Sequence, residues 1–117
     1  MVAQWLQALE AVESVFHPAL PSCPGHEFWK RDFSGSTSVF SFLFSENISQ
    51  ESVVAFIESL SLFHIGLSWG GINSLAVVYP DVERPGKDYK GRLVRLNIGL
   101  ETTEDLISDL QQAFSRI

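Results

Sequence analysis

An α+β fold, with a small, mainly antiparallel sheet and helices packed on one face, is predicted by three features of the chain. Residues 49–60 and 102–117 carry apolar side chains at helical spacing behind a capping hydroxyl, whereas 37–44 and 93–98 alternate in the two-residue rhythm of a strand. The stretches between the strand-like segments offer few long crossovers, which favours antiparallel neighbours over a parallel sheet.

The elements follow in chain order. Val2 to Phe16 places Val2, Trp5, Leu6, Leu9, Val12 and Phe16 three or four apart, so the spacing predicts one amphipathic helix, ended by Pro18 and Pro21. Ala19 to Ser36 is rich in Pro, Gly, Ser and charge and reads as an ordered surface connection, pinned by Phe28, Trp29 and Phe33. Thr37 to Phe44 reads as a strand that buries Phe40, Phe42 and Phe44. Ser49 is placed to cap a helix with Val53, Val54, Ile57 and Leu60 as its apolar stripe, and Glu51 sits near the positive end of its dipole.

Leu62 to Leu67 and Ser74 to Tyr79 read as short strands around a Gly70-Gly71 turn, and Pro80 to Gly91 as an exposed loop. Leu93 to Ile98 is a further strand with Val94, Leu96 and Ile98 on one face, which turns Arg95 and Asn97 to the other. Thr102, with Glu104 and Asp105 behind it, caps a last helix whose Leu106, Ile107, Leu110, Ala113, Phe114 and Ile117 face inward.

Composition narrows the function classes. At 117 residues the chain makes one domain, and 45% hydrophobic against 19% charged residues is a globular balance. A formal charge of -6 with scattered Lys and Arg argues against binding nucleic acid. No apolar run is long enough to span a membrane and no secretory signal opens the chain, so a cytoplasmic location is expected. Cys23 is the single cysteine and lacks a neighbouring His motif, which argues against a disulfide, a catalytic thiol or a thiolate zinc site. His17, His26 and His64 are too dispersed to suggest a metal.

Binding groups remain, without an accompanying acid, base or nucleophile. Arg95 inside an apolar strand presents a rigid planar fork suited to a carboxylate, either a neighbouring surface carboxylate or that of an amino-acid or keto-acid ligand. Ser68 and Trp69 precede paired glycines, which either form a tight turn with a packed indole or bring main-chain donors close to a ligand that Trp69 walls in. Glu101, Glu104 and Asp105 read as charges at a helix start.

The chain also carries VAQWL (2–6), FHPALP (16–21), GHEFWKRDFSG (25–35), SWGG (68–71), RLNIGLE (95–101) and DLISDL (105–110) in one order. With these it resembles, nearly end to end, the C-terminal domain of the cystathionine β-lyase type within the pyridoxal-phosphate-dependent Cys/Met metabolism family of fold type I. The resemblance implies that 1–117 is the small C-terminal domain of a longer, homo-oligomeric carbon–sulfur lyase, with its large cofactor-binding domain outside this sequence. It implies that Arg95 binds the substrate α-carboxylate, that Ser68 and Trp69 line the same pocket, and that the substrate is a cystathionine-like thioether. Trp69 favours a β-lyase over the γ-acting members. Leu67 and Asn73 depart from the family pattern, where Tyr can stand at the first position and Glu usually stands at the second. None of Lys30, Lys87 and Lys90 matches the lysine that forms the Schiff base, so no catalytic residue and no bound cofactor are expected within this stretch. A γ-lyase or synthase of the same family and a free-standing binding or assembly module are the alternative readings.

Overall fold

The computed structural model describes residues 1–82 and 85–117. In chain order the elements are α1 (Val2–Gln7), β1 (Val12–Phe16), α2 (His26–Asp32), β2 (Val39–Phe44), α3 (Gln50–Glu58), β3 (His64–Ile65), β4 (Leu75–Tyr79), β5 (Leu93–Asn97) and α4 (Thr103–Phe114). The strands form one sheet in the order β1-β2-β5-β4-β3. All neighbours are antiparallel except β3 and β4.

The phenylalanine face of β2 is the floor of the core, as its alternation predicts. Phe40, Phe42 and Phe44 are buried together with Ala76, Val94 and Leu96 of the adjoining strands. Over them pack Val2, Ala3 and Leu6 of α1, Val53, Phe56 and Ile57 of α3, and Leu106, Leu110 and Ala113 of α4. The expected caps form: Ser49 accepts the Ser52 N–H at 3.2 Å and Thr102 the Asp105 N–H at 3.4 Å.

Several expectations need correction. The helix proposed for Val2 to Phe16 stops at Gln7, and Val12–Phe16 becomes β1, paired to β2 through Val12↔Phe44 and Phe16↔Ser41. Val12, Val15 and Phe16 continue a helical period but are also good strand residues, and pairing with β2 decides the matter. Inside the supposed connection, Gly25 at φ 83° starts α2, with Glu27 in its first turn and Lys30 and Arg31 in its last, the arrangement the helix dipole favours. Only Trp29 of the three aromatics ties that segment down, donating from its ring N–H to the Gly35 carbonyl at 3.0 Å, while Phe28 and Phe33 are exposed. On α3 the buried stripe runs through Phe56 instead of Val54, since positions 53, 56, 57 and 60 share one helix face more closely.

The last correction concerns the supposed pair of strands around the glycine turn. β3 shrinks to His64–Ile65 and runs parallel to β4, so residues 66–74 form a connection between parallel neighbours and not a hairpin. Of the predicted exposed loop, Glu83 and Arg84 lie outside the described residues, and Tyr89 is buried, its ring edge-on to Phe16 at 6.4 Å.

Candidate substrate-carboxylate site

The sheet carries Arg95 on the face away from the helices, as the alternation of β5 requires. In register beside it lie Ser41 of β2 and Val77 of β4. That face is hollowed into an open cavity of about 530 Å³ lined by Phe16, Ser41, Tyr79, Tyr89, Leu93 and Arg95, among others. The guanidinium lies 5.8 Å from the centre of the Tyr79 ring, within reach of a cation–π attraction. Its Nη2 donates to the carbonyls of Leu67 and, at 3.4 Å, of Ser68. Nη1 and Nε make no hydrogen bond among the described residues, so part of the fork remains available for a ligand oxygen.

Of the three residues selected from the sequence only Arg95 lines that cavity, and Ser68 and Trp69 sit in the adjoining loop. Ser68 meets Arg95 through its carbonyl and keeps an exposed side chain, and Trp69 stands next to it with its indole 68% exposed. One main-chain donor near Ser68 is engaged within the chain. The Gly70 N–H, at a left-handed φ of 76° that suits glycine, is taken by the side chain of Asn97 at 3.0 Å.

Sequence reasoning missed how the loop is held. Asn97 also donates to the Asn73 carbonyl at 3.3 Å and accepts from the Ser38 hydroxyl at 2.8 Å. Glu101 is not a helix-start charge, a role that Glu104 and Asp105 do fill. Its carboxylate accepts the Ser74 N–H at 2.9 Å and the Ser74 hydroxyl at 2.8 Å, and the same hydroxyl oxygen accepts the Gly99 N–H at 2.8 Å. Burial pushes the Glu101 carboxyl upward, but the bonds from Ser74 and from its own backbone, with the nearby His64, outweigh that and hold it below the ordinary carboxylate range. Gly99 is required by space: a Cβ there would stand 2.3 Å from the Ile72 carbonyl oxygen. The one signal that could have found these residues is that Asn97, Gly99 and Glu101 continue the two-residue rhythm of Arg95.

Among the described residues no cluster of His, Cys, Asp and Glu could hold a metal, and no helix is long and apolar enough to cross a membrane.

Comparison with known proteins identifies the family. The model of the family described as Cys/Met metabolism PLP-dependent enzyme matches residues 1–115. The cystathionine β-lyase of Escherichia coli (strain K12) is 44% identical over 125 residues, covering 99% of this chain and 31% of that protein. The cystathionine β-lyase of Haemophilus influenzae is 43% identical over 125 residues, with the same coverage of 99% and 31%. In structure the chain is similar to cystathionine gamma synthase from Xanthomonas oryzae pv. oryzae, solved in complex with aminoacrylate and cysteine, with a TM-score of 0.83, 29% identity, and coverage of 98% of this chain and 31% of that one. The chain thus spans about a third of the length of the relatives it matches.

Proposed function

Because the chain belongs to the family of Cys/Met metabolism PLP-dependent enzymes, we propose that it is the substrate-binding end of a longer carbon–sulfur lyase of the cystathionine β-lyase type. In this reading Arg95 takes the α-carboxylate of an amino-acid thioether, and Ser68 and Trp69 wall the same pocket. The observation that carries it is the guanidinium of Arg95, fixed on a central strand by the carbonyls of Leu67 and Ser68 with donors to spare.

Lys30, Lys87 and Lys90 are all exposed, and none of them is assigned the Schiff-base role in this reading. In the proposed whole enzyme a larger domain holds pyridoxal phosphate, which when bound supplies an electron sink for breaking bonds at the substrate Cα. The work left to this chain is orientation. A carboxylate clamped by a strand-borne fork keeps the rest of the amino acid in one pose, an effect that can change rate by orders of magnitude.

The β-lyase type is supported by the two lyases above and by Trp69. A γ-acting enzyme is the second reading, favoured by the likeness to the cystathionine gamma synthase structure. In the longer protein carrying this chain, Arg95→Leu should lower kcat/KM for cystathionine by about two orders of magnitude, as loss of a charge-assisted contact to the substrate does, without changing cofactor absorbance. Unchanged kinetics would remove Arg95 from the site. Identification of the cleaved carbon–sulfur bond from the products of the same assay decides between the β and γ types.

A further inference from the structure

We infer that Asn97 is a positioning residue for the carboxylate site, fixing the turn that carries Ser68 and Trp69 without touching the substrate; this rests on the reading of Arg95 proposed above. Asn97 is the next side chain after Arg95 on the same face of β5, and it is only 1% exposed. Its amide is used at both ends. Oδ1 accepts from the Ser38 hydroxyl at 2.8 Å and the Gly70 N–H at 3.0 Å, and Nδ2 donates to the Asn73 carbonyl at 3.3 Å. The Gly70 N–H can only donate and the Asn73 carbonyl can only accept, which fixes which way the amide faces, and Ser38, just before β2, braces the amide by donating to the same oxygen.

The consequence follows from what each β5 side chain holds. Arg95 grips the loop at Leu67 and Ser68, and Asn97 grips it on both sides of Gly71, at Gly70 and Asn73. Trp69 is the residue between those two grips. Arg95 must bind a carboxylate while it holds the loop, and the loop can keep the guanidinium aimed only if something else keeps the loop in place. Asn97 supplies that second anchor, and a buried amide with all three contacts made leaves little freedom for the turn to shift. Removing it frees the Ser68–Trp69 wall and the carbonyls that orient Arg95, so substrate binding weakens while the reacting groups are untouched.

The test uses the longer, cofactor-loaded protein and steady-state kinetics on cystathionine, with Arg95→Leu measured beside the Asn97 and Ser38 variants. Asn97→Leu should raise KM by about tenfold with kcat changed by no more than about threefold, the signature of lost ground-state binding. Ser38→Ala should raise KM in the same direction by a smaller factor, and Ser38→Thr, which keeps the hydroxyl, should restore it. A KM unchanged in Asn97→Leu, or a fall in kcat alone, while Arg95→Leu still lowers kcat/KM, overturns the positioning role and leaves the site reading standing. If Arg95→Leu leaves kcat/KM unchanged, the site reading itself fails. Should Asn97→Leu not fold, equal KM values for Ser38→Ala and Ser38→Thr overturn the inference.

Discussion

Asp109 shows how much one side chain can hold. It lies on α4, is buried, and its carboxylate accepts N–H groups from Ser61 at 2.9 Å, Leu62 at 2.7 Å and Phe63 at 3.3 Å. Those donors belong to the chain leaving α3, and Gln112 braces the arrangement by donating to Asp109 at 3.2 Å and to the Ser59 carbonyl at 2.6 Å. Asp109→Ala would leave these donors without their acceptor, the buried Phe63 N–H most of all, and should cost about 2–3 kcal/mol of stability. Asp109→Asn keeps an acceptor and should lose less, both read as shifts of the denaturation midpoint; an unchanged midpoint for Asp109→Ala would mean that water satisfies the donors. Arg95 was legible in the sequence because a charge inside an alternating strand has no local explanation. Asp109, Asn97 and Glu101 were not, since the loop and strand groups they hold lie 24 to 59 residues away and each has an innocent local reading on a helix, a strand or a helix start.

Elements were legible where one period had no rival. β2, β5 and α4 carry clean alternation or a clean helical stripe with a cap, and their places in the structure follow from that. The α1–β1 boundary was hidden because no Gly or Pro marks the stop after Gln7, and Leu9, Val12 and Phe16 prolong the helical rhythm into a strand. α3 tests the energetic side of this argument. Its Phe56 ring sits 4.7 Å from Phe114, 5.2 Å from Phe44 and 6.2 Å from Phe42, at tilted or edge-on angles, so α3, α4 and β2 share one aromatic cluster. Phe56→Ala should destabilise the fold by about 3–5 kcal/mol, as removal of a buried ring does, whereas Val54→Ala on the exposed side should stay within about 0.5 kcal/mol. Equal losses at the two positions in a urea titration would mean that the helix face is assigned wrongly.

At the scale of the molecule, the sheet has one unusual end. β1 and β5 finish there and β2 and β4 begin, as the pairs Phe16↔Ser41, Val39↔Asn97 and Leu75↔Asn97 require. The loop 66–74 and the turn after β5, joined by the Leu100 N–H to the Ile72 carbonyl, carry Leu67, Trp69, Ile72 and Leu100, each between 68% and 81% exposed. Large apolar side chains grouped in this way are uncommon on a monomer's surface and mark a face that meets something. Arg95 lies beneath the same loop, so in the proposed enzyme this is the end that closes against the cofactor-bearing domain. The chain of 117 residues by itself should then hide the surface in another way, by self-association that grows with concentration in sedimentation velocity. Salt gives the association a sign. Copies with a formal charge of -6 repel one another, and screening removes that repulsion without weakening apolar contact, so added salt should promote association. A contact made of ion pairs would respond in the opposite direction. Combined Leu67→Ser, Ile72→Ser and Leu100→Ser should return the chain to a monomer, and a wild-type chain that stays monomeric at high concentration and high salt would show that this end is not a docking face.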